Sequence, residues 1–446
     1  MEVKQTYRRF PSHTSHTARR VISGVAWNVL GSAMAQGGTF LGSVVLARVL
    51  GKHAFGQYAM ILTTVYALTS LAGLGLGITA TKYVSQYRDK SPERAGKILG
   101  LSSAIAILAG AGFSVGLLVL APSLATDPSL VPGLRVSVFY VFFSTLNGYQ
   151  IGALVGFEAF GRIARISMVS GPAAVLAAWV LARLDGLRGA ILAQGAVAFL
   201  IWLLYQIALR SKLQTTTVVI RYRGAWRERS ALFRFSVPAI VSGITGSLVI
   251  WWCNNALVRH SGYAELAVFT AANNLRLMVL FVPALVARVV SPLLNNLLAN
   301  GEVTKFRQAF WGAVAGNGIV ALGLAAIFSV TGNQILRLFG KDFIGPPALL
   351  FLLLLAAVIE VVASNLYQVV FTAKSLWWQV VVQSTWTAVF LSFSQLLIPR
   401  QGATGLAQAY LAAWCASLVL YGMLTRVQEG LGHGRKALLY DSNSGV

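Results

Sequence analysis

The chain has 446 residues, of which 56% are hydrophobic and only 11% charged, and it carries a formal charge of +23. Ordinary soluble domains are about one-quarter charged, so this composition excludes a set of water-soluble domains and makes the lipid bilayer the solvent of the fold. The positive charge does not point to nucleic acid, because the cations fall mostly in short connections between apolar runs, as expected of loops retained on the cytoplasmic side.

In chain order, residues 1–20 form a basic tail with Arg8, Arg9, Arg19 and Arg20. The apolar sequence that follows runs well past Ala33-Met34-Ala35, so it reads as a retained first helix and not as a cleaved leader. Crossing the hydrocarbon takes about 20 apolar residues, and runs of that kind recur along the whole chain. They predict an all-α membrane protein of twelve spans. The first six lie at 21–47, 56–80, 98–121, 133–157, 164–184 and 188–210; the second six at 233–258, 264–290, 307–330, 346–372, 376–398 and 403–425. Residues 426–446 are a second tail. With both tails cytoplasmic, that side carries about three Lys or Arg for each one on the other, which sets an N-in, C-in orientation.

The connection 211–232 contains Arg221, Arg223, Arg227 and Arg229 and divides six helices (21–210) from six (233–425). The two halves read as repeats. A shift of 211 positions sets Leu46-Ala47-Arg48-Val49-Leu50-Gly51 against Leu257-Val258-Arg259-His260-Ser261-Gly262, and Asn147-Gly148-Tyr149-Gln150 lies on the helix equivalent to that of Asn365-Leu366-Tyr367-Gln368. Six helices return the chain to its starting side, so the halves share one orientation about an axis along the membrane normal, with a central cavity expected between them.

Only one cation, Arg276, and one acid, Glu360, fall near mid-membrane. A charge there costs at least about 2.5–3.5 kcal/mol on insertion scales, so each requires a polar surrounding or a partner. Two readings follow: a buried Arg276–Glu360 pair that locks two helices, or an Arg276 that faces a wet cavity and receives an anion. Asn273 and Asn274 lie within one turn of Arg276 and cover a broad arc of its helix, which favours the cavity. Glu360 is then an ion-coupling residue or the partner of Arg276.

Further polar residues occupy equivalent helices: Asn28 on helix one with Asn254 and Asn255 on helix seven, and Asn147 and Gln150 on helix four with Asn365 and Gln368 on helix ten. Each is a candidate for lining the cavity, with interhelical hydrogen bonding as the ordinary alternative. Arg48 and Arg259, at the outer ends of helices one and seven, are candidates to ring its exit or to snorkel. Pro172 and Pro283 are candidates to kink their helices.

Gly73-Leu74-Gly75-Leu76-Gly77 lacks the strand, the following helix and the Gly-Lys-Ser/Thr of a nucleotide loop, and reads as a packing or bending element. The five histidines, all in tails or connections, have no ligand spacing, and Cys253 and Cys415 form no framework, so neither a metal nor a cofactor is expected. No triad or close carboxylate pair points to an enzyme.

The stretch Leu46-Ala47-Arg48-Val49-Leu50-Gly51, then Phe55-Gly56-Gln57-Tyr58-Ala59, then Gly73-Leu74-Gly75-Leu76-Gly77-Ile78-Thr79-Ala80-Thr81-Lys82-Tyr83, resembles the start of the polysaccharide-exporting branch of the MOP superfamily, which includes the Wzx-type flippases. The resemblance implies two six-helix lobes in a V around a basic cavity alternately open to each side of an inner membrane. Its implied cargo is an undecaprenyl-pyrophosphate-linked oligosaccharide, with Arg276, Arg48 and Arg259 as candidate pyrophosphate holders. It also implies, as pathway partners, a glycan polymerase and glycosyltransferases. Cation-coupled drug exporters of the same superfamily, and membrane enzymes that act on lipid-linked glycans, are the alternatives.

Overall fold

The computed structural model describes the backbone of residues 14–300, 302–372 and 376–441, and side chains chiefly over 29–226, 246–287, 302–366 and 380–425. Asn28 and Gln368 lie outside the described side chains. Among the described residues all regular structure is helical.

The first half comprises α1 (Thr14–Ala72), α2 (Leu76–Tyr87), α3 (Pro92–Leu124), α4 (Val131–Val136), α5 (Val138–Gly156) and α6 (Phe160–Gln214). The second comprises α7 (Arg229–Ala299), α8 (Val303–Phe339), α9 (Pro347–Thr372) and α10 (Leu376–Asp441). Eight helices among the described residues are long and apolar enough to cross a membrane. Four of these are broken internally: α1 at Gly51, α6 at Asp185–Gly186, α7 at Gly262 and α10 at Gly402. Each break falls in a short connection anticipated between two apolar runs, so each long helix is two segments joined tip to tip.

The breaks repeat between halves. Gly51 (φ 76°, ψ 171°) matches Gly262 (φ 81°, ψ 172°), and Gly186 (φ 50°, ψ −127°) matches Gly402 (φ 55°, ψ −129°). Behind the second pair of breaks, Gly189 packs against the Leu181 carbonyl and Gly405 against that of Leu397, so the same hairpin is built twice. Two pseudo-symmetric halves therefore share one design, and the glycines recur because positive φ excludes most side chains.

Two expectations about helix continuity are corrected. The predicted span 56–80 is interrupted: α1 stops at Ala72, Leu74 and Gly75 take positive φ, and the chain resumes as α2. There the glycines serve both bending and packing, since Gly77 of α2 meets the backbone of Gly148 and Gly152 on α5. Neither Pro172 nor Pro283 coincides with a break, because the dihedral departures in α6 and α7 lie at Asp185–Gly186 and Gly262.

The apolar core shows how the halves meet. One large cluster mixes residues of both halves, among them Leu46, Phe55 and Met60 with Leu257, Leu266 and Phe339. A second cluster draws only on residues 76–225, and a third only on residues 294–421. The halves thus fuse around the tips at Gly51 and Gly262 and keep separate cores at the opposite end.

Candidate functional site

The junction between halves is polar as well as apolar. Asn274 Nδ2 donates to Ser43 Oγ (3.0 Å), Asn254 Nδ2 to Thr63 Oγ1 (3.2 Å) and Trp251 Nε1 to Thr64 Oγ1 (3.0 Å). Arg48 reaches into the other half, where Nε and Nη2 donate to the carbonyls of Leu338 (2.6 Å) and Arg337 (2.8 Å) at the C-terminal end of α8. A guanidinium there satisfies carbonyls with no intrahelical partner and meets the negative end of the helix dipole. Gly56 packs against the backbone of Tyr263 closely enough that a Cβ would sit 1.9 Å from its carbonyl oxygen. Phe55 stacks edge-on against Phe339 and Phe343. These hydrogen bonds and ring contacts between the halves gather in one zone around the tips.

Arg276 and Glu360 sit deeper. Arg276 Nη1 donates to Glu360 Oε2 at 2.9 Å, joining α7 to α9, and its guanidinium lies 4.9 Å from the centre of the Tyr410 ring of α10. Of the two readings open in the sequence, the pair is the one formed in this structure. The cause is rotational: the guanidinium is turned into its own half, where an acid neutralises it and an aromatic face covers it. Arg276 is buried, whereas the Glu360 side chain keeps 19% of its surface open. Arg276 Nε and Asn273 Oδ1 are buried without a partner, so the cluster retains one donor and one acceptor.

Most other candidates make the ordinary contacts between or within helices. Asn147 donates to the Ala198 carbonyl, Gln150 to Gln206, and Asn317 to Asn365, which itself donates to the Val361 carbonyl. Arg259 donates to Asn255 one turn earlier on its own helix and remains exposed. The repeat-related arginines 48 and 259 therefore differ in use: Arg48 is tied to α8, and Arg259 is not. The candidates do not converge on one spot. Arg48, Asn254 and Asn274 belong to the junction; Arg276 and Glu360 to the second half; Asn147 and Gln150 to the first.

Sequence reasoning did not single out the junction hydroxyls Ser43, Thr63 and Thr64, nor Tyr66, Tyr140 and Tyr410. Small hydroxyls and tyrosines are common in membrane helices, and only the helix spacing of Thr63 and Tyr66 carried a signal. An apolar groove of about 580 Å³ between α1 and α6, lined by Gly37, Leu41, Pro172 and Trp179, offers no polar group to a head group. No cluster of three or more metal-ligating side chains occurs among the described residues.

Comparison with known proteins agrees with this architecture. The chain is 25% identical over 401 residues to the lipid III flippase of Escherichia coli (strain K12), covering 87% of this chain and 94% of that one. It is 24% identical over 412 residues to the EPS I polysaccharide export inner membrane protein EpsE of Ralstonia nicotianae (strain ATCC BAA-1114 / GMI1000), covering 89% and 91%. Its fold superposes on an inward-facing multidrug resistance MATE family transporter of the MOP superfamily with a TM-score of 0.68 at 16% identity, over 91% and 94% of the two chains. A MOP superfamily transporter from Pyrococcus furiosus Vc1 (DSM3638), described as having a binding pocket of reversed polarity, gives 0.65 at 16% identity over 90% and 93%. The polysaccharide biosynthesis protein family model matches residues 21–298, well over half of the sequence, and the chain belongs to that family.

Proposed function

We propose that this protein is a flippase that carries a polyprenyl-pyrophosphate-linked oligosaccharide across an inner membrane by alternating access. The observation that carries the reading is the one-ended junction: two pseudo-symmetric halves fuse near Gly51 and Gly262 and keep separate cores at the other end. Such halves rock about a central space, and with both tails cytoplasmic the space opens toward the cytoplasm. The cargo class rests on the full-length similarity to proteins named as a lipid III flippase and a polysaccharide exporter. The halves are the lobes 21–210 and 233–425, joined by the basic linker 211–232.

The physics of such a cargo fits a two-lobed carrier. A sugar head group dragged through hydrocarbon leaves each hydroxyl unsatisfied at a cost of several kcal/mol, whereas the prenyl tail is already soluble there. A polar path between lobes removes the first cost and leaves the tail in lipid. Arg276, with a free Nε beside Asn273, is the residue assigned to the pyrophosphate once the ion pair with Glu360 opens. Arginine suits this role because its planar fork matches two phosphate oxygens.

The test is reconstitution. Vesicles containing the purified protein and the lipid-linked oligosaccharide should move the sugar to the leaflet where an added glycosidase can reach it, faster than protein-free vesicles do. If the sugar stays protected while a fluorescent organic cation is exported down an imposed ion gradient in a Glu360-dependent way, the chain is instead a drug exporter. Appearance of sugar chains of altered length would identify a membrane enzyme.

A further inference from the structure

The first half contains an aromatic pair that the ion pair and the junction do not involve. Tyr66 of α1 and Tyr140 of α5 lie with ring centroids 5.9 Å apart and planes tilted by 59°. Tyr66 lies in the middle of a membrane-spanning segment, and 47% of its surface is open. Surface open at that depth faces either the lipid or the space between the halves.

Helix geometry says which. Tyr66 follows Thr63 by three residues, so the two project within about 60° of each other. Thr63 meets Asn254 of the opposite half, and Thr64 meets Trp251. Tyr66 therefore faces the second half just past the last of these contacts, where the lobes part. Thr69 continues the same polar stripe, with its hydroxyl donating back to the Tyr66 carbonyl.

We propose that Tyr66 and Tyr140 form a sugar-binding platform at the closed end of the interlobe path, a reading that rests on the flippase function above. The ligand class is a hexose or N-acetylhexosamine ring. Such a ring has an apolar C–H face that packs on an aromatic face and a rim of hydroxyls that exchange hydrogen bonds with phenols, and a tilted tyrosine pair offers both surfaces together. The two lobes then divide the cargo, with the first holding the sugar and the second holding the pyrophosphate. That separation discriminates a loaded lipid carrier from an empty one.

The experiment compares two probes on purified protein in nanodiscs: the polyprenyl-pyrophosphate oligosaccharide pool extracted from the native host, and the same polyprenyl pyrophosphate without sugar. Wild type should bind the sugar-bearing lipid more tightly. Tyr66→Ala should weaken that binding about tenfold and leave the bare lipid within twofold, while Tyr66→Phe, which keeps the ring, should retain most of the preference and reports on folding. Equal loss for both lipids, no loss for either, or a wild type indifferent to the sugar would overturn the platform while leaving a lipid-pyrophosphate transporter intact. A wild type that binds neither lipid would remove the flippase reading itself and the platform with it.

Discussion

Gly51 and Gly262 hold the same backbone conformation at positions 211 apart, with φ of 76° and 81° and ψ of 171° and 172°. This region of dihedral space is essentially closed to residues with a Cβ, so each glycine is required by the bend and not by packing, since neither would press a Cβ on a neighbour. Gly51→Ala and Gly262→Ala should each destabilise the protein by about 1–3 kcal/mol. Thermal denaturation in detergent measures this. The control is Gly316→Ala in α8, where the backbone is helical and space is open, which should be neutral or slightly stabilising.

Arg48 and Arg259 occupy matching places beside those glycines but only Arg48 bridges the halves. Its two donors close the α8 carbonyls of Arg337 and Leu338, and opening the junction has to break both bonds. Arg48→Ala should therefore lower the population of the closed junction about five- to tenfold, the effect of about 1–1.5 kcal/mol expected from charge-assisted bonds at a helix end. The measurement is the yield of crosslinking between cysteines placed at Ser43 and Asn274, with Cys253 and Cys415 changed to serine. Arg259→Ala, which removes only a bond to Asn255 within its own helix, should leave the yield unchanged.

These two arginines show how far sequence reaches. The apolar runs are visible because about 20 consecutive residues must satisfy the hydrocarbon, and the repeat is visible because its glycines cannot be replaced. The partner of Arg48 is invisible, because backbone carbonyls leave no side-chain signature. The Arg276–Glu360 relationship was legible as a necessity, since two deep charges need compensation, but the choice between pairing and facing a cavity depends on the rotation of α7 and α9 about their axes. Asn147, Gln150 and Asn365 announced buried polarity without saying that their amide nitrogens find acceptors nearby while the Asn147 and Gln150 side-chain oxygens stay unpaired. Tyr66 was hidden among the many aromatic residues of a membrane protein, and only its accessibility at depth sets it apart.

The Arg276–Glu360 pair makes a prediction separable from transport. Removing one member of a buried pair leaves the other charged and unpaired, at about 3–5 kcal/mol, whereas replacing both by apolar residues of similar size costs far less. Arg276→Met and Glu360→Leu should each lower thermal stability strongly, and the double variant should recover most of the loss. In the same double variant, flipping should stay absent, because Arg276 is assigned to the pyrophosphate. Recovery of both stability and flipping would restrict the pair to holding α7 against α9.

The basic linker supplies the last prediction. Residues 218–223 lie along the start of α3: Arg221 N donates to the Gly96 carbonyl (3.1 Å), and a Cβ on Gly96 would fall 1.9 Å from the Val219 carbonyl oxygen. A Cβ on Gly100 would fall 2.3 Å from the Arg221 carbonyl oxygen, so two glycines one turn apart form a notch that the linker backbone fills. Arg221 also pairs with Glu93, whose carboxyl is held below its ordinary range by Lys97 and then by Arg221, and Arg94 pairs with Glu228. The exposed pairs contribute little by themselves, so the notch decides whether the linker docks. Because the clash is with backbone, Gly96→Leu must displace the linker, and protease cleavage at the arginines of 221–229 should rise several-fold in inside-out vesicles. Glu93→Gln, which leaves the notch intact, should change cleavage little; the reverse order of the two effects would make the charges, and not the backbone fit, the means by which the linker is held to the first half.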